Sequence, residues 1–123
     1  MPEKLDIASY VQTIESCLSK LYSDELDLSK YKFPKETLDA YSMVGRGMKE
    51  EDQNMINNAF FAMYQLTDAR IPETGIKNYG EGTKERQLFD LIHNTIGEMY
   101  NRMGVDIDSE LQKIAQELQG QVA

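Results

Sequence analysis

The chain has a single histidine, His93, in the stretch LFDLIHNTIGEMY at residues 88–100, three positions after Asp90 and four before Gly97. At the edge of a helical core an imidazole keeps one nitrogen wet and nucleophilic. A residue without a side chain one turn further on lets another surface close over it. His93 and Gly97 are therefore the candidate pair for group transfer. The competing expectation is an ordinary boundary histidine with its ring packed on Phe89 or Tyr100. Asp90 and His93 also stand at i and i+3, as in carboxylate-bridged di-iron bundles, but such a site needs a second histidine and the chain has none. No metal is expected. Cys17, the only cysteine, cannot form an internal disulfide or a cysteine-based zinc site, and on an apolar helix face its thiol is inert.

In this respect HNTIG resembles the histidine-phosphotransfer bundles, where a histidine precedes a glycine by four on a four-helix bundle. The resemblance implies His93 as phosphoryl acceptor and Gly97 as the place where a response-regulator domain approaches. That family carries a lysine just before the glycine; Ile96 stands here, which removes the cation that steadies a phosphate. A second stretch, RMGVDIDSELQKI, is similar to the closing helix–Gly–helix segment of MazG-type nucleotide pyrophosphohydrolases. Those hold magnesium with paired acids on two helices. The third helical segment has no E-x-x-E, and Gln87 with Asp90 replaces E-x-x-D, leaving Mg²⁺ too few hard oxygen ligands. The glycines of NYGEGTKE expose backbone N–H groups before a helix start, yet Glu81 and Glu85 repel an anion there and the full phosphate-loop pattern is missing. No cofactor is expected.

The elements that position these residues read as helices, because apolar residues recur at three and four rather than at two. Ile7, Val11, Ile14, Leu18 and Leu21 form one stripe, predicting a helix over about residues 5–23. Pro34 opens a second with Leu38, Tyr41, Val44 and Met48, which Gly45 and Gly47 are expected to end or bend. A third begins near Lys49, with Glu50, Glu51 and Asp52 in its first turn and a broad face of Met55, Ile56, Ala59, Phe60, Met63 and Leu66. From Ile71 to Thr83, Pro72 and three glycines predict a long connection, the first place to look for a binding surface. Thr83 caps a fourth helix carrying Leu88, Ile92, Ile96, Met99 and Met103, and Gly104 ends it. A fifth, from Ile107, carries Leu111, Ile114, Leu118 and Val122, with Ser109 and Gln112 as a capping box. The fold class is all-α, a bundle of four to five helices in one domain over residues 1–123.

Charge narrows the function classes. Acids outnumber bases 21 to 13, a formal net charge of −8 with no basic cluster, so direct nucleic-acid binding and attraction to anionic lipid are disfavoured. No stretch is long and apolar enough for a membrane span, and MPEKLDIASY lacks a positive segment followed by an apolar run; the expected compartment is the cytoplasm. Without a metal set, triad or cofactor loop, the leading expectation is a non-enzymatic module for protein–protein contact, such as a regulator, adaptor, immunity protein or phage-type inhibitor, binding a basic partner protein. A second copy of the chain is another expected partner. Alternatives are phosphotransfer through His93 and a DNA-mimic inhibitor built on the acid groups Asp24–Glu25–Asp27, Glu50–Glu51–Asp52 and Asp106–Asp108–Glu110. Tyr31, Met43, Tyr64 and Tyr79, which the stripes leave unexplained, join Glu50, Glu51, Asp52 and Glu81 as candidate interface residues.

Overall fold

A computed structural model of the chain describes residues 7–23 and 25–122, with side-chain surroundings in the last helix described only at 107–113 and 116. The expected helical start at Leu5, the acid at Asp24 and the stripe positions Ile114, Leu118 and Val122 lie outside the described residues or side chains. The described chain is all-helical: α1 (Ile7–Leu21), α2 (Pro34–Lys49), α3 (Gln53–Leu66), α4 (Lys84–Arg102) and α5 (Ile107–Val122). Two 3₁₀ turns, Pro72–Thr74 and Ile76–Asn78, lie in the connection before α4. Among the described residues there is no strand, and no helix is long and apolar enough to cross a membrane.

α4 is the central element, packing against α1, α3 and α5, and α2 pairs with α3. The stripes predict the core well on α1 and α4, where Ile14, Leu18, Leu21, Leu88, Ile92, Ile96 and Met99 are all buried. Met103 departs from its stripe because it is the C-cap residue of α4, and there it is exposed. Thr83 caps α4 as expected, its hydroxyl accepting from the Arg86 N–H. The cap of α5 is Asp106 rather than Ser109: its carboxylate accepts from the backbone N–H and the hydroxyl of Ser109.

α2 corrects the sequence reading twice. It runs through Gly45 and Gly47 to Lys49, and its buried face is Thr37, Ala40, Val44 and Gly47, so Leu38 and Met48 stay 41% exposed. The reason is a close approach to α3. A Cβ on Gly47 would lie 2.8 Å from Ile56 Cγ1 and 3.1 Å from its backbone nitrogen, so a face of small residues packs where a larger stripe would hold the helices apart. The polar member of that face, Thr37, donates to its own helix at the Phe33 carbonyl.

Glu50 and Glu51 are accordingly not in the first turn of α3 but in a three-residue elbow, 50–52, whose last residue, Asp52, is the N-cap of α3 and accepts from Met55 N–H. The elbow closes α2 in the same way that Gly104 closes α4. In both, one N–H bonds five residues back (Asp52 to Gly47, Val105 to Tyr100) and the preceding one bonds three back (Glu51 to Met48, Gly104 to Asn101). The residue whose N–H bonds three back must take a left-handed backbone: Gly104 has φ 78° and Glu51 φ 55°. A side-chain-bearing residue is disfavoured there by about 1–2 kcal/mol, less the extra chain entropy of glycine. Glu51→Gly is expected to stabilise the fold by about 0.5–1 kcal/mol, read as a higher urea midpoint at constant slope.

Between α1 and α2, and between α3 and α4, two aperiodic segments clasp each other. Lys32 N–H donates to the Thr74 carbonyl at 3.0 Å, and the Tyr79 hydroxyl accepts from Lys30 N–H and donates to the Asp27 carbonyl. Thr74, Gly75, Ile76 and Tyr79 are buried. The connection expected to offer a binding surface is thus anchored inward at these four residues, while Pro72, Glu73, Lys77 and Asn78, and Gly80, Glu81 and Gly82 in the turn before α4, are exposed.

Candidate functional site

His93 lies on the flank of α4 that faces α3, half-buried as its helical position predicts. Its neighbour is neither Phe89 nor Tyr100, both of which are turned into the core, but Tyr64 of α3. The two rings stack with centroids 3.9 Å apart at 18°. His93 Nδ1 is 2.7 Å from the Tyr64 carbonyl oxygen. A carbonyl can only accept, so Nδ1 carries the proton and the lone pair of the neutral ring sits on Nε2.

A cleft of about 370 Å³ opens beside the ring, lined by Asp68, Arg70, Arg86, Asp90, His93 and Asn94 together with Tyr64 and Ala69. Two arginines therefore stand where the sequence shows no cation, since Ile96 points into the core. Both are engaged. Arg70 holds Asp68 with two guanidinium hydrogen bonds of 3.0 and 2.9 Å, and its backbone N–H donates to the same carboxylate. Arg86 bonds Asp90 one turn along α4 at 3.2 Å and reaches the Tyr79 carbonyl.

Burial by itself would raise the pKa of Asp68. The hydrogen bonds from Arg70, with the nearby charges of His93 and Arg70, outweigh burial and hold the carboxyl below its ordinary 3.8. A carboxyl depressed on folding contributes stability that is fully present above the unfolded value and is lost as the pH falls through the folded value. Unfolding free energy is expected to drop from pH 4 downward, with a shallower drop in Asp68→Asn; urea titrations at stepped pH measure it. The Cys17 thiol is pushed up by burial, with Lys20 offsetting only part, which opposes thiolate formation.

Gly97 is not bare. A Cβ built there would meet Tyr64 Cε2 at 3.4 Å, so the tyrosine ring occupies the surface expected to stay clear. Tyr64 is one of three tyrosines expected at an interface; Tyr31 and Tyr79 are the others, and all three are buried. The Tyr31 hydroxyl lies within hydrogen-bonding distance of both the Thr37 hydroxyl and the Leu66 carbonyl, its one proton serving either, which stitches the α1–α2 connection to the end of α3. Their contact area is used within the chain. Met43, Glu50, Glu51, Asp52 and Glu81 are exposed.

The acid groups have local roles: Asp27 accepts from Ser29 N–H, Asp52 and Asp106 cap helices, and Glu50 pairs with Arg46. Among the described residues no group of three or more histidine, cysteine, aspartate or glutamate side chains is placed to hold a metal ion.

No family model, curated protein or solved structure matches this chain. Its function must be argued from its own surfaces. Sequence reasoning missed Arg70, Arg86 and Asp68; the available hints were Arg70 two residues after Asp68, just past a helix end, and the i, i+4 spacing of Arg86 and Asp90 on one helix face.

Proposed function

We propose that the protein is a non-enzymatic helical module that binds a basic partner protein through α2 and the acidic elbow beyond it. The observation that carries this reading is the exposed ridge of α2. Leu38, Tyr41, Gly45 and Met48 follow one another at spacings of three, four and three, which puts them on one face of a helix. Leu38 and Met48 are exposed, Tyr41 is half-buried, and a Cβ at Gly45 would touch nothing within 4 Å. Apolar knobs on either side of a gap suit a partner's amphipathic helix. Lys35 and Lys49 lie on the outer flank of α2, so attraction to a basic partner comes from Glu50, Glu51 and Asp52 and from the net charge of −8, not from α2 alone.

Affinity capture from the native host tests this at two salt concentrations and with two variants. A basic protein should be retained by the native chain, lost with Leu38→Glu, and captured less as salt rises. Retention by Leu38→Glu and by Glu50→Lys alike would remove α2 and its elbow as the contact.

A second reading, phosphoryl acceptance at His93, is favoured by one arrangement: Nδ1 is committed to a backbone carbonyl, which leaves Nε2 as the nucleophile, and Arg70 and Arg86 line the same cleft. Acid-labile label from acetyl phosphate, present on the native chain and missing from His93→Gln, would support it; an unlabelled native chain would end it.

A further inference from the structure

We infer that Tyr64 is a movable cover over the His93–Gly97 face of α4, held shut by Asp108 of α5. Its side chain makes three contacts that span three elements. The ring stacks on the imidazole, the ring edge lies over Gly97, and the hydroxyl donates to Asp108 Oδ1 at 3.2 Å. The same side chain is the shared wall of two clefts. On one side is the 370 Å³ space beside His93; on the other is one of about 510 Å³ at the α4–α5 bend, lined by Gly97, Asn101, Gly104, Val105 and Asp108 among others. A change of the Tyr64 rotamer removes that wall and joins the clefts into one trough along α4, with the face of the imidazole and the Gly97 backbone on its floor.

What holds the cover is local. Asp108 is exposed in the first turn of α5, and that turn is seated by buried Ile107 and half-buried Leu111. Arg70 is close enough for its charge to be felt by both Tyr64 and Asp108, so the charged groups around the hydroxyl are two acids, Asp108 and Asp68, and one base, Arg70. A single hydroxyl–carboxylate bond near solvent shifts an open-to-closed ratio by about fivefold. The inference stands apart from phosphoryl acceptance: the cover exists whether or not His93 reacts.

Because His93 is the only histidine, its two carbon-bound ring protons are unmistakable in a proton NMR spectrum. Stacked beneath Tyr64, they should resonate upfield of their positions in Tyr64→Leu, compared on the neutral-imidazole plateau. Asp108→Ala and Tyr64→Phe should each move them part of the way downfield, as expected for an open fraction raised about fivefold. A soluble paramagnetic probe should broaden the Gly97 α-protons more strongly in both. Tyr64→Phe keeps the ring and leaves Asp108 in place, so it reads the bond alone even if Tyr64→Leu fails to fold or Asp108→Ala loosens α5. His93 signals in Tyr64→Phe that superimpose on the native ones, with no added broadening at Gly97, would overturn the inference.

Discussion

Gly75→Ala is expected to destabilise the fold by about 3 kcal/mol or more, lowering the melting temperature by roughly 10 °C. Two penalties coincide at this position. Gly75 has φ 79°, linking the two 3₁₀ turns, and a Cβ there would lie 2.1 Å from the Lys30 carbonyl oxygen. The Lys30 carbonyl is backbone and cannot swing aside as a side chain could. The clasp between residues 27–32 and 74–79 would have to part, stretching the bond from Lys32 N–H to the Thr74 carbonyl. Gly82→Ala is the control: its added methyl meets nothing within 4 Å, and its effect should stay within about 0.5 kcal/mol. Thermal melts followed by far-UV circular dichroism distinguish the two. Equal melting temperatures for both variants would mean that the clasp contributes nothing to stability.

Phe89→Ala should cost a further large amount, about 3–5 kcal/mol, the range for emptying an aromatic site in a packed core. Phe89 is 1% exposed, with ring centroids 4.5 Å from Tyr31 and 6.0 Å from Tyr79. It therefore anchors both sides of the clasp to α4. Since Gly75→Ala loosens the same contacts, the double variant should lose less than the sum of the singles, by a coupling on the order of 1 kcal/mol. Urea unfolding of the four proteins measures it, and strict additivity would show that the aromatic cluster and the loop contact are independent.

The clasp also explains why two of the three tyrosines read as interface residues, Tyr31 and Tyr79, belong to the interior. Tyr31 and Tyr79 sit in stretches with no helical period, and the partners that satisfy their hydroxyls are carbonyls 35 and 52 residues away in the chain. Tyrosine is suited to such a place because its ring fills apolar space while its oxygen serves a loop that cannot pair its own backbone. Nothing in the local sequence separates that use from an exposed contact.

The sequence by itself determined the helical class, the five segments, the buried stripes of α1 and α4, the caps at Thr83 and Gly104, and the edge position of His93. Those follow from short-range rules: helical period, side-chain capping and the conformations open to glycine. Tertiary structure alone decided which face of α2 is buried, because Gly47 yields to Ile56 and the larger stripe is left outside. It also decided what lies on His93. Tyr64 is 29 residues away, and the arginines of the cleft come from a loop and from two turns earlier on α4. Periodicity marks a side chain's direction on its own helix; the neighbour it meets depends on how closely two helices can approach, which is settled only when all of them pack together.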